Sequence, residues 1–354
     1  MGLKKFKATG FRCLDETDIV PDPRLNLITG PNASGKTSIL ESIFYLGRGR
    51  SFRSSGNREL IRTGSGGFLL YGELEHEGRP QKAGIEVAIG QRSVRINGEQ
   101  GTGADLAKLL PVQVIDPEVH ELVQGGPELR RRFMDWGVFH VKHSFLDTWR
   151  NYQKALRQRN ASLRQGETDR NVRIWDEPLA EHGEQVDQDR QEFLEQFLPL
   201  FSSISSEYLL FTSNCRYKRG WSSNVGLKEA LHDSLARDRA FGATQVGPHR
   251  SDLPLEVHDR RARYRVSRGQ QKMLAATLVI AQSRFVAAHI PTELVFLVDD
   301  PAAELDRDNR ERLFAMLHEM PAQMFVTALE PEDLPWSTQG TMFHLEHGRL
   351  ASLL

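Results

Sequence analysis

The sequence predicts an α/β fold, mixed sheets with flanking helices, interrupted by an inserted α-helical arm. Three observations predict it. A short apolar run at residues 24–29 leads into Gly30-Pro31-Asn32-Ala33-Ser34-Gly35-Lys36-Thr37-Ser38 and then into a helix-like segment at 39–46. A second apolar run, Leu294-Val295-Phe296-Leu297-Val298, ends in Asp299-Asp300. Between them, apolar residues over 145–208 recur at helical rather than strand spacing.

The first stretch fits G-x-x-x-x-G-K-[ST] in its strand–loop–helix context, which makes it a nucleotide-phosphate site. Gly30 and Gly35 let backbone N–H groups turn inward, and the following helix N-terminus adds partial positive charge. Pro31, Asn32, Ala33, Ser34 and Ser38 complete the binding loop. Lys36 is placed to reach the β- and γ-phosphates, and the Thr37 hydroxyl to ligate Mg²⁺.

A length of 354 residues suits about two domains. The 46 Lys+Arg and 47 Asp+Glu leave a net charge of -1, so the clustering of basic residues, and not their sum, bears on nucleic acid. Cys13 and Cys215 are too few for a disulfide framework or metal cluster, which suits a reducing compartment. Met1-Gly2-Leu3-Lys4-Lys5-Phe6-Lys7 has no apolar h-region behind it, and no run of 18 apolar residues occurs. A cytoplasmic protein without a membrane partner is expected.

In chain order, residues 4–29 read as two strands around a loop, a turn at Pro21 and Pro23, and the strand before the glycine loop. Gly47-Arg48-Gly49-Arg50-Ser51-Phe52-Arg53, with Arg58 and Arg62 beyond, combines glycines and arginines suited to phosphates of a nucleotide or of DNA. Alternation over 68–97 predicts an antiparallel meander, and 112–115 a further strand. Phe145, Trp149, Tyr152, Leu156 and Leu163 form one helical stripe, with Arg150, Lys154, Arg157, Arg159 and Arg164 expected on a basic outer face. A second helix is expected over about 178–208, which Pro199 should kink or split. Leu227 to Arg239 reads as a helix, and 253–266 as a hairpin turning at Asp259-Arg260. The head domain is expected at 1–115 and 245–354, and the arm at 116–244.

Ser267-Arg268-Gly269-Gln270-Gln271-Lys272 opens a long helix, and serine and glycine at a helix N-terminus form an anion site. The strand that follows has the pattern of a Walker B strand, buried upstream and acidic at its carboxyl end. Asp299 would hold the metal through water, and Asp300 would orient the attacking water.

This order, closed by Ala303-Glu304-Leu305-Asp306, resembles the ATP-binding-cassette (ABC) ATPases, and more narrowly the SMC and Rad50 head domains. The stretch from Pro117-Glu118 through Gly125-Gly126-Pro127-Glu128-Leu129-Arg130-Arg131-Arg132 resembles the RecF family of recombination mediators. So do Gly247-Pro248-His249-Arg250 and the Ser267 loop. The resemblance implies an ABC-type P-loop ATPase head with an inserted helical arm, and ATP and Mg²⁺ as cofactors. It implies that Ser267 and Gly269, with Gln270 in the same loop, complete the site of a second copy, and that Asp306 lies across that interface. Gln113 would take the Q-loop position that senses the metal or nucleophilic water. Thr327 stands where transporters carry a switch histidine and would contact the γ-phosphate. Pro301 and Asn309 depart from the family pattern.

The function implied is that of an ATP-dependent DNA-binding protein that dimerises on ATP. It would bind gapped or junction DNA, double- and single-stranded, without sequence preference. It would act with RecR, and indirectly RecO, in recombinational repair and replication-fork maintenance. Many related ATPases carry glutamate where Asp300 stands; the shorter side chain implies weak hydrolysis used as a switch. Candidate DNA contacts are Arg48, Arg50, Arg53, Arg130, Arg131, Arg132, Arg157 and Arg159. The alternative is a nucleotide-sensing ABC ATPase regulating a partner nuclease or transporter.

Overall fold

Period-two alternation near the amino terminus builds a hairpin, β1 (Leu3–Phe11) and β2 (Leu14–Ile19), followed by β3 (Leu25–Thr29), buried at every position. Helix α1 (Lys36–Arg48) follows the glycine loop. The predicted meander is β4 (Gly67–His76), β5 (Arg79–Ala88), β6 (Gln91–Ile96) and β7 (Glu99–Gln100), and α2 (Gly103–Leu109) leads to β8 (Val112–Ile115). Helices α3 (Glu121–Gln124), α4 (Pro127–Val141), α5 (Phe145–Arg164), α6 (Asp169–Arg173) and α7 (Asp176–Tyr208) come next. Then follow β9 (Ser213–Cys215), α8 (Leu227–Phe241), β10 (Leu255–Val257), β11 (Arg260–Arg261) and α9 (Arg268–Ala287). The chain closes with β12 (Val295–Val298), α10 (Arg307–His318), β13 (Gln323–Thr327), β14 (Thr341–Glu346) and β15 (Arg349–Ala351). This computed structural model describes residues 2–54, 56–76, 78–301, 305–335 and 340–351, so Ala303 and Glu304 of the expected acidic element lie outside the described residues.

The chain divides into two compact units, residues 1–119 with 283–354, and residues 120–282. In the first, an antiparallel sheet has the order β2-β1-β4-β5-β6-β7 and a mainly parallel one β15-β14-β3-β13-β12-β8. Helix α1 touches strands of both. That explains a helix apolar nearly all round, with Ser38 through Gly47 buried. Its buried serines and glutamate have partners: Ser42 Oγ donates to Ile39 O, Glu41 accepts from Arg12, and Ser38 Oγ accepts from Cys13 Sγ.

The second unit is helical with a small sheet, β11-β10-β9. The return to the head expected at residue 245 falls inside it, and the contacts give the reason. Arg190 donates to Pro248 O and Ser251 Oγ, Arg130 pairs with Asp252, and β10 pairs with β9. Pro199 does not divide α7. Pro199 and Glu195, whose carbonyl loses its helical partner, are both exposed, where water can replace the missing N–H. The hairpin after β10 turns at His258-Asp259, both at positive φ as a two-residue turn requires, and not at Asp259-Arg260. Among the described residues no helix is long and apolar enough to cross a membrane.

Candidate nucleotide-binding site

Parallel pairing of β3, β13, β12 and β8 brings four carboxyl ends to one sheet edge. Gly30, Ala328, Asp299 and Asp116 are the first residues past those ends. Ligands of open α/β sheets bind at such an edge. A cavity of about 320 Å³ lies here, lined by Asn32 to Ser38, Asp299, Asp300 and Thr327, with Cys13, Arg53 and Pro117.

The loop needs its two glycines. Gly30 has φ 140°, and a Cβ there would lie 2.2 Å from Leu345 O. Gly35 has φ 109°, and its Cβ would lie 2.8 Å from Cys13 Sγ. Lys36 Nζ donates to Gly30 O at 2.6 Å and Pro31 O at 3.0 Å, closing the loop on itself. Ser34 Oγ is buried without a hydrogen-bond partner among the described residues. An orphaned hydroxyl in a polar cavity is the feature a bound phosphate oxygen would satisfy.

Two threonines organise the acids. Thr37 Oγ1 lies 3.0 Å and 2.9 Å from the carboxylate oxygens of Asp299, and Thr327 Oγ1 donates to Asp299 Oδ1 at 2.8 Å. Asp300 N donates back to Thr327 Oγ1 at 2.8 Å. Thr327 is buried, lines the cavity, and bridges the two acids through this hydroxyl. Asp300 is exposed and held at φ 47°, a strained conformation that fixes its direction at the cavity.

Gln113 departs from expectation. It is buried as the second residue of β8, opposite Phe296, and is absent from the cavity lining. The acids stand three residues further along the ladder, about 10 Å away at strand rise. Asp116 occupies that level: Asp299 N donates to Ile115 O just before it. Burial and the neighbouring Asp299 push the Asp116 carboxyl up from 3.8 to about 6. Its contribution to stability is therefore present at acid pH and lost as pH rises through about 6. Asp116→Asn is expected to raise the melting temperature at pH 7.5 by about 2–4 °C, with a smaller gain at pH 5. An equal shift at both pH values would remove this explanation.

Arg53, expected among the DNA contacts, stands on the cavity wall. Glu41, fully buried on α1, is gripped by Arg12 at 2.9 Å and 2.8 Å and accepts from Ser51 Oγ. Ser51 Oγ in turn accepts from Arg53 N and Ser54 N. A buried carboxylate thus fixes the arginine loop beside the phosphate loop. Nothing in the motif announced Glu41 or Asp116, although Asp116 follows β8 as Asp299 follows β12.

Other predicted residues are not among those lining the cavity. Ser267 caps α9: Gln270 N donates to Ser267 Oγ, and Ser267 N to Gln270 Oε1. Gly269 has nothing within 4 Å of an added Cβ. Asp306 caps α10, accepting from Asn309 N at 2.8 Å and Asn309 Nδ2 at 3.0 Å. That gives the atypical Asn309 a role.

Arg130 and Arg159, expected on a DNA-facing surface, are buried. Arg130 pairs with Asp252 and donates to Leu122 O and Gly125 O. Arg159 pairs with Asp176 and Asp238. Arg131 is half-buried on Ser251 O, and Arg48 is half-buried beside the Phe44 ring. Arg50, Arg132 and Arg157 remain exposed. The Gly247-Pro248-His249-Arg250 motif has a packing role: His249 Nε2–H donates to Thr244 O, and Nδ1 accepts from Tyr152 Oη at 2.5 Å. Burial pushes this imidazole down to about 4, so it is neutral.

The family model described as the RecF/RecN/SMC N-terminal domain matches residues 2–343. A protein of Chromohalobacter salexigens named DNA replication and repair protein RecF is 40% identical, covering 99% of each chain. One of the same name from Pseudomonas putida is 39% identical, covering 99% of this chain and 98% of its own. A solved structure described as the recombination mediator protein RecF with ATP in the RecFOR pathway matches with TM-score 0.89 at 25% identity, over 100% of this chain and 98% of that one. An Smc head domain from Pyrococcus furiosus, at TM-score 0.61 and 16% identity over 99% and 96%, shares the fold. The fold is thus the ABC-type ATPase head of mixed sheets and helices.

Proposed function

The chain belongs to the RecF family, and from that premise we propose that it is an ATP-dependent DNA-binding protein that dimerises on ATP and hydrolyses it slowly. The observation that carries this reading is the cluster Thr37–Asp299–Thr327–Asp300 facing the phosphate loop, with the orphaned Ser34 hydroxyl in the same cavity.

ATP would lie along residues 30–38, its phosphates taking the loop N–H groups and Lys36 Nζ, which gives up its carbonyl partners. Thr37 and Asp299 already share hydrogen-bond distance, a pair of hard oxygen donors fitted to Mg²⁺. That ion would supply charge neutralisation at the β- and γ-phosphates. Asp300 would accept a hydrogen bond from the attacking water, its direction set by the Thr327 hydroxyl at its backbone N–H. A carboxylate one methylene shorter than glutamate holds that water less well, and slow turnover follows. Arg53 adds a cation at the cavity wall.

Support for a dimer comes from what the fold leaves without an internal reason. Gly269 is not at positive φ and meets no neighbour, so glycine there answers no packing demand of this chain. A close approach by the nucleotide of a second copy would supply one. DNA would be held electrostatically by exposed arginines such as Arg50, Arg132 and Arg157, weakening steeply with salt. RecR and RecO are the partners that the pathway named for its structural neighbour suggests.

Sedimentation with and without ATP, with and without gapped DNA, tests the reading. The wild type is expected to shift from monomer to dimer on ATP. Asp300→Asn should bind ATP but lose hydrolysis by about 100-fold or more, so that its dimer persists. A monomer under every condition, still binding ATP, would point to a nucleotide sensor instead.

A further inference from the structure

Cys13 sits between β1 and β2, exposed to solvent, on the wall of the nucleotide cavity. Its Sγ lies 3.5 Å from Ser38 Oγ, in the first turn of α1. On the other side it rests against Gly35, where an added Cβ would come within 2.8 Å of it. The backbone here is pinned. A Cβ on Gly348 would lie 2.3 Å from Cys13 O, and Gly348 N donates to Ser34 O at 2.8 Å. Gly348 thus packs closely against the turn carrying the thiol and is hydrogen-bonded to the phosphate loop. Independently, the buried and unpartnered Ser34 hydroxyl on the same wall marks the adjoining space as a ligand's.

The other cysteine behaves differently. Burial pushes the Cys215 thiol up to about 12, which disfavours its thiolate at neutral pH, and Cys215 is the less exposed of the two. The cysteine open to small reagents is the one beside the phosphate loop.

We propose that Cys13 is a thiol-modification site, at which a mixed disulfide with a low-molecular-weight thiol closes the nucleotide cavity. The Cys13 thiolate attacks one sulfur of a small disulfide; the new S–S bond forms as the old one breaks. The departing thiolate takes up the proton that Cys13 released. Cys13 is oxidised, the small disulfide is reduced by one thiol equivalent, and a thiol reverses the step. The adduct places its bulk against Gly35 and Ser38, where nucleotide must lie. The inference rests on the nucleotide reading above and adds an oxidation-sensitive control to it.

The test uses the full chain and glutathione disulfide. Labelling of each cysteine is followed by mass spectrometry, and ATP affinity by titration before and after treatment. Saturating ATP is expected to slow adduct formation at Cys13 by tenfold or more. The adduct is expected to weaken ATP binding by tenfold or more, with recovery after dithiothreitol, while treated and untreated Cys13→Ser protein bind alike. Labelling indifferent to ATP, or an adduct that binds ATP as the free thiol does, overturns the proposal while the nucleotide reading stands. A wild type that binds no ATP before treatment overturns both.

Discussion

Lys36→Ala is expected to weaken ATP binding by about 100-fold or more while leaving the fold intact. Among the described residues the lysine's partners are the carbonyls of Gly30 and Pro31, in the loop it closes. Pro31 is exposed, so water can take the lysine's place at its carbonyl, and the melting temperature without nucleotide should change by no more than about 2 °C. With nucleotide the ammonium makes charge-assisted hydrogen bonds to phosphate oxygens, each contributing about 1.5–3 kcal/mol. Two such bonds amount to about 3 kcal/mol at the low end, or about two orders of magnitude in affinity. A second readout separates this from misfolding. Ligand at about 100 times its Kd stabilises the folded state by about 2.7 kcal/mol, so ATP should raise the wild-type melting temperature and not that of the variant. A variant that keeps the ATP-induced shift would place the phosphates elsewhere.

Arg159→Ala is expected to have the largest effect on stability, destabilising the arm unit by about 3–5 kcal/mol. The guanidinium is fully buried, pairs with Asp176 at 2.8 Å and Asp238 at 2.7 Å, and also donates to Thr244 Oγ1 and Leu231 O. Removing it leaves two buried carboxylates uncompensated. Arg157→Ala, two residues away and exposed, should change stability by less than about 0.5 kcal/mol. Urea unfolding followed by tryptophan fluorescence reads the arm, since four of the five tryptophans, Trp136, Trp149, Trp175 and Trp221, lie in that unit. Equal effects for the two variants would contradict the burial of Arg159.

That pair also shows where sequence reading failed and why. Tyr152, Leu156, Arg159 and Leu163 are spaced four, three and four apart, which puts Arg159 on the apolar stripe. Val186, Arg190, Phe193 and Phe197 repeat the pattern on α7, and Arg190 is likewise buried, on Asp135, Pro248 O and Ser251 Oγ. The periodicity was there to be read. A buried arginine is acceptable only with partners, and those of Arg159 come from Asp176 and Asp238, 17 and 79 residues away. Gln113 failed for a different reason: a strand's length decides which residue reaches its end, and β8 runs two residues past it.

By itself the sequence determined the phosphate loop, the acidic strand end, the meander and the helical arm, because each is encoded in contiguous residues. Glycines at 30 and 35, alternation over 68–97 and helical spacing over 145–208 need only local backbone geometry and one buried face. The tertiary structure alone decided which polar groups meet. Thr37, Asp299 and Thr327 converge through parallel strand pairing, Glu41 anchors the arginine loop beside them, and Asp116 replaces Gln113 at their level. Hydrogen bonding and burial act over a few ångströms in space, whatever the separation along the chain, and that distance is set only when the sheets have formed.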